Sequence, residues 1–116
     1  MNLTPFKEDI ERVGNQQIED AVEKLEGYSN FKAFTDARSM QSILLTSKCN
    51  EVLASYLSNI DSKSLVPHQG LGKMVTLSEV VTHYYYIVFP PLLVELSRRM
   101  ADLYYQKFPE NQVKEI

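Results

Sequence analysis

Two adjacent prolines, Pro90 and Pro91, interrupt the most apolar stretch of the chain, and they limit what that stretch can become. Residues 76–108 read TLSEVVTHYYYIVFPPLLVELSRRMADLYYQKF. Thr76 and Glu79 have the capping-box spacing, in which the Thr hydroxyl accepts from the backbone N–H three residues on and the Glu carboxylate reaches back. Leu77, Val81, Tyr84 and Val88 then fall on one side of a helix, and so do Leu92, Leu96, Met100 and Leu103 after the prolines. At 100° per residue the two stripes point roughly 90–100° apart. A proline inside a helix has no N–H to donate, and its ring crowds the turn before it. The spacing therefore predicts a kink at Pro90, or a break with Pro91 in the first turn of a new helix, and a reorientation in either case.

Tyr84, Tyr85, Tyr86, Ile87, Val88 and Phe89 cover every direction around a helix. A helix that is apolar all round is buried on several sides. Aromatic and β-branched residues also suit a strand. The capping box upstream and the absence of a second run able to pair with it decide for helix.

Elsewhere the pattern is also helical. Thr4 is a good N-cap with Pro5 at the first helical position. Phe6, Ile10, Val13, Ile18, Ala21, Val22 and Leu25 form an apolar stripe that ends at Gly27, and Gly14 weakens its middle by up to ~1 kcal/mol relative to Ala. On the outer face Glu8, Asp9, Glu11, Glu19, Asp20, Glu23 and Glu26 outnumber Lys7, Arg12 and Lys24. That is a solvated face, with the sharper option of an acidic strip that steers a basic partner. Residues 28–34 read as a short link with Phe31 and Phe34 tucked beneath it. Thr35 is then expected to cap a second helix running to about Ile60, whose lower face is Leu45, Cys49, Val52, Leu53, Tyr56, Leu57 and Ile60. Residues 61–75 (DSKSLVPHQGLGKMV) read as a long loop packed on the body by its apolar residues. Pro109 stops the last helix, and 109–116 is expected to fray. Only four glycines argue against an all-β fold with tight turns. The expectation is thus one all-α domain over 1–116, a four-helix antiparallel bundle with the last helix kinked or broken at Pro90–Pro91.

Several functional classes fall away. A net charge of −3 and a pI near 5.3 disfavour nucleic acid, which needs clustered Lys and Arg. The Arg98–Arg99 pair is flanked by Glu95 and Asp102 at ion-pairing spacings. No apolar run approaches the ~20 residues that cross a bilayer, so no membrane partner is expected. A single cysteine, Cys49, allows no internal disulfide and suits a cytoplasmic, reducing setting. It falls on an apolar helix face, where a small buried residue is expected and a nucleophile is not. Gly70-Leu71-Gly72-Lys73 falls short of a phosphate loop, with Pro67 and Met74 where glycine and Ser or Thr are needed. Glu79 and His83, four apart on one helix, supply two metal ligands at most. No catalytic residue, metal or cofactor is assigned.

What remains is apolar surface in more directions than one small core needs. Met40, Ile43 and Leu44 point nearly opposite the lower face of their helix. Together with the outward part of the Tyr84, Tyr85, Tyr86 and Phe89 run they are the expected contact surface of a non-enzymatic interaction module. Its partner is itself, as a homo-oligomer, or another protein. The alternative is a small ligand-binding or catalytic bundle with a pocket near His83 and Tyr84–Tyr86.

Overall fold

The computed structural model describes residues 2–61, 63–68 and 73–111. Helix α1 spans Thr4–Glu26 and α2 spans Phe31–Ser58. A short antiparallel hairpin follows, β1 Leu65–His68 and β2 Lys73–Thr76, then α3 Leu77–Val88 and α4 Pro90–Lys107, closed by a single 3-10 turn at Pro109–Asn111. The architecture is mostly helical with one two-stranded ribbon.

The helix starts follow local chemistry, with two departures from the sequence reading. Thr4 is itself helical and caps nothing with its side chain; its N–H donates to Asn2 Oδ1 at 3.0 Å. The second helix begins at Phe31, not after Thr35, because Asn30 Oδ1 accepts the Ala33 N–H at 3.0 Å. The earlier start places Phe34 fully inside, edge-on to Phe108 at 5.3 Å, while Phe31 also meets Phe108 at 5.4 Å but stays half exposed. Thr76 caps α3 as expected, its Oγ1 accepting the Glu79 N–H at 3.1 Å, and its hydroxyl lies 3.2 Å from the Glu79 carboxylate.

The expected loop is a correction. Leu65 pairs with Thr76, Val66 with Val75, Pro67 with Met74 and His68 with Lys73. The pairing is possible because the two segments form a two-stranded ribbon on their own, where a proline is tolerated as it would not be inside a sheet. Val75 is buried, whereas Leu65 and Met74 on the other face are exposed. Leu77 N–H donates to Ser64 C=O at 2.8 Å and closes the base of the ribbon. Most of the glycine-rich fragment at 70–73, and the tail beyond Asn111, lie outside the described residues.

The prolines break the helix as expected, with both in the first turn of α4, but the expected reorientation does not accompany the break. Phe89 keeps helical dihedrals (φ −72°, ψ −46°), its N–H bonds to Tyr85 C=O at 2.8 Å, and Leu92 N–H bonds back to Phe89 C=O at 2.9 Å. The hydrogen-bond ladder is interrupted, yet α3 and α4 continue as one composite rod. Its course is set by α1. Arg99 on α4 reaches Glu19, 80 residues earlier, and Lys107 reaches the Glu26 carbonyl, 81 residues earlier. Phe6 with Tyr84, and Gly14 with Leu92, keep nearly the same separation before and just after the prolines. The composite rod therefore runs parallel to α1 along its whole length. Helix α2 runs against both: Tyr56 near its end meets Phe6 in a tilted contact at 4.8 Å, and Phe34 near its start meets Tyr104 and Phe108. Three rods, up, down and up, replace the expected antiparallel bundle of four separate helices, in an elongated body of 56 × 28 × 19 Å.

Gly14 makes the parallel contact possible. A Cβ at this position would stand 2.6 Å from Leu92 Cδ1, so the two rods close up where the side chain is missing. A continuous core runs between the rods, with Phe6, Ile10, Leu25, Leu45, Cys49 and Tyr85 among its fully enclosed members. Gln41 is its buried polar residue, and its amide donates to the Ala37 carbonyl at 2.9 Å.

Candidate functional site

Three rods make three grooves, and their linings differ. Between α1 and α2 the lining includes Asp9, Arg12, Lys48 and Glu51. Between α1 and α4 it includes Glu26, Arg98, Arg99 and Asp102. The third groove, between α2 and the composite rod, is the largest, an open trough of about 740 Å³ lined by Ser42, Ile43, Thr46, Ser47, Asn50, Glu51, Ala54 and Leu93. Among the described residues Glu51 is the only charged one lining this trough, while nearer the start of α2 a second opening between the same two rods is lined by Arg38 with Phe31 and Tyr104.

The sequence explains this difference. Between Arg38 and Asp61 only Lys48 and Glu51 are charged, and between Glu79 and Glu95 no Asp, Glu, Lys or Arg occurs. These two stretches are the ones that flank the third groove. Ser42, Thr46, Asn50 and Ala54 recur every four residues, so one row of small side chains forms the trough on α2. Opposite, Tyr86, Pro90 and Val94 recur every four residues along the composite rod and form a projecting row. Tyr86 is 65% exposed, Val94 69% and Ile43 58%.

The residues expected to form a contact surface separate under this geometry. Ile43 lines the trough. Met40 and Leu44 are exposed, but they flank the trough on the outer side of α2. The three tyrosines point three ways. Tyr84 packs toward Phe6 of α1, with ring centroids 6.5 Å apart. Tyr85 is 1% exposed; its hydroxyl donates to Asn50 Oδ1 at 2.6 Å, and its ring stacks on Phe89 at 5.2 Å. Burial, with Cys49 and Tyr86 nearby, pushes its phenol up to about 12. Tyr86 stands edge-on to Tyr85 at 5.4 Å and faces out. Tyr85 and Phe89 are therefore core residues, which corrects their assignment to an exposed contact surface. The residues missed from the sequence include Ser42, Thr46, Asn50 and Ala54, whose four-residue spacing was the available signal, together with Pro90, Leu93 and Val94 on the opposite rod.

The three phenol rings diverge, and His83, partly buried on α3, lines none of the three grooves. Cys49 is fully enclosed, and burial pushes its thiol up to about 11, away from the thiolate form that reacts. Among the described residues no group of three or more His, Cys, Asp or Glu is placed to hold a metal ion, and no helix is long and apolar enough to cross a membrane.

Arg98 and Arg99 of α4 carry ion pairs away from the trough. Arg98 is held by Glu95 at 2.6 Å and by Asp102 at 3.0 Å, as the spacing predicts. Arg99 turns away from that network to Glu19 of α1 at 2.7 Å and holds the Glu19 carboxyl below its usual range. Comparison with protein-family models, with curated proteins and with solved structures returned no match.

Proposed function

We propose that this protein is a non-enzymatic interaction module that works through the face made by α2 and the composite rod, and that it associates with itself there. The observation that carries this reading is a contrast in lining: the α1–α2 and α1–α4 grooves are charge-lined, whereas among the described residues the α2 trough has only Glu51, and Ile43, Tyr86 and Val94 are exposed on the two rods that flank it. Ordinary monomers seldom leave a contiguous apolar patch beyond about 300–600 Å² without using it. The three helical rods serve as a rigid support, and the core tyrosine Tyr85 ties the two sides of the face together through Asn50. The enclosed, unreactive Cys49 fits a reducing setting, and we place the protein in the cytoplasm.

Sedimentation velocity across a concentration series tests this. The native chain is expected to shift from monomer to dimer in the micromolar range, and Ile43→Glu, at an exposed position, is expected to remain monomeric with unchanged helicity. A native chain that stays monomeric at high micromolar concentration rejects self-association. An Ile43→Glu variant that dimerises like the native chain rejects this face as the contact.

A further inference from the structure

We infer that the cleft near the start of α2 is a binding site for a small aromatic carboxylate, whose acid group Arg38 takes while the rings of Phe31, Tyr104 and Tyr105 pack on its apolar part. The cleft shares no lining residue with the trough, so this site stands or falls apart from the docking face. It is lined by Phe31, Thr35, Arg38, Ala101, Tyr104 and Tyr105 and has a volume of about 340 Å³. Small-molecule sites begin at about that size.

The charge of the ligand follows from Arg38. Arg12, Arg98 and Arg99 are each paired with a carboxylate. Arg38 has no carboxylate partner among the described residues, and its guanidinium lies over the Tyr104 ring, 5.7 Å from the centroid. Stacking uses the flat face of the guanidinium and leaves its in-plane N–H donors, the fork that fits a carboxylate. Thr35, one turn earlier on α2, also lines the cleft, and its hydroxyl has no hydrogen-bond partner among the described residues. Arg38 is the one charged residue among the described lining residues, so a monoanion balances it and a phosphate dianion does not.

The rest of the ligand follows from the rings. Phe31 stands edge-on to Tyr104 at 6.1 Å, and Tyr104 edge-on to Tyr105 at 5.3 Å. Phe31 is 47% exposed and Tyr105 40%, so both keep ring surface for a further aromatic group. Ala101 lies one turn before the two tyrosines on α4, and its small side chain leaves the space that such a group would fill.

The test is an NMR titration of backbone amides with 3-phenylpropionate, its neutral amide 3-phenylpropionamide, propionate and inorganic phosphate. The aromatic acid is expected to shift amides around Phe31, Arg38 and Ala101 with a Kd of about 1 mM or tighter. The amide, propionate and phosphate are each expected to bind at least ~10-fold more weakly. Arg38→Gln is expected to weaken the aromatic acid by at least ~10-fold, and so is Ala101→Leu, which fills the cleft but keeps the charge. Circular dichroism checks that both variants keep their helices, and the ligand series on the native chain decides the matter should one of them unfold. Equal binding of the acid and its amide removes Arg38 as the anchor and overturns the inference. Phosphate or propionate binding as tightly as the aromatic acid removes the rings' part and overturns it too. Variants that bind like the native chain, or no shift at tens of millimolar, do the same.

Discussion

The contact between Gly14 and Leu92 predicts a substitution whose sign depends on its partner. Gly14 lies in the middle of α1, where replacement by Ala raises helix propensity by about 1 kcal/mol. The new methyl would stand 2.6 Å from Leu92 Cδ1, 3.2 Å from Cδ2 and 3.3 Å from Cγ. The whole end of that buried side chain must move, and overpacking of this kind costs about 1–3 kcal/mol. The net expectation for Gly14→Ala is a loss of about 1 kcal/mol. Leu92→Ala alone costs about 2–4 kcal/mol through lost burial and the cavity left behind. In that background nothing opposes the new methyl, so Gly14→Ala is expected to stabilise by about 1 kcal/mol. The sign reversal amounts to a coupling of about 2 kcal/mol, well outside ordinary additivity error. Urea unfolding followed by far-ultraviolet circular dichroism measures all four members of the cycle. The protein concentration must be held fixed, because association adds stability by mass action. Equal stabilisation by Gly14→Ala with and without Leu92 would refute the close approach, and with it the parallel course of α1 and the composite rod.

Two further measurements address the core and the ion pairs. Cys49, enclosed and with its thiol pushed up to about 11, is expected to resist a disulfide reagent at pH 8 in the folded protein and to react promptly in denaturant; rapid labelling of the native chain would contradict its burial. The Arg99 guanidinium lowers the Glu19 carboxyl, first by hydrogen bonding and then by charge. A carboxyl depressed in the folded state contributes its stability above the unfolded value and loses it as pH falls through the folded one. The Glu19 carboxyl, followed by NMR, is thus expected to titrate below the usual value of 4.5, and Arg99→Gln to return it upward. A midpoint that Arg99→Gln leaves in place would refute the pairing.

How much of this was readable from the chain depended on how local the cause was. The Thr76 cap of α3 needs only Thr76 and Glu79, and it was legible. The start of α2 was not, because Asn30 and Thr35 are both good caps. The choice of Asn30 follows from Phe34 packing on Phe108 and Tyr104, far along the chain. The hairpin was hidden by Pro67, which reads against a strand until its neighbour is shown to be a lone partner strand. Pro90–Pro91 correctly signalled a gap in the ladder. What it could not show is that α1 holds the rod to its line on both sides of that gap. In the candidate site Ile43 and Tyr86 were legible as apolar residues pointing away from the core. Tyr85 and Phe89 were misplaced because the direction of a residue on an all-round apolar helix has meaning only once its neighbours are fixed. The trough itself was invisible to hydrophobic patterning, since Ser42, Thr46 and Asn50 are polar and matter here by being small.

The contrast among the three grooves also ranks them by the energetic cost of covering each. A partner laid over the α1–α4 groove must strip water from Glu26, Arg98, Arg99 and Asp102, and charges taken out of water cost several kcal/mol apiece unless their pairing is excellent. The α1–α2 groove imposes the same kind of penalty through Asp9, Arg12 and Lys48. Over the α2 trough the groups losing water are hydroxyls, apolar side chains, an amide and the single Glu51 carboxylate; the Asn50 Oδ1 already accepts from Tyr85 and needs little from solvent. Each Å² of apolar surface covered there returns about 25 cal/mol. Adding a second charge to the face, as Ala54→Lys or Tyr86→Glu does, raises the cost of covering it.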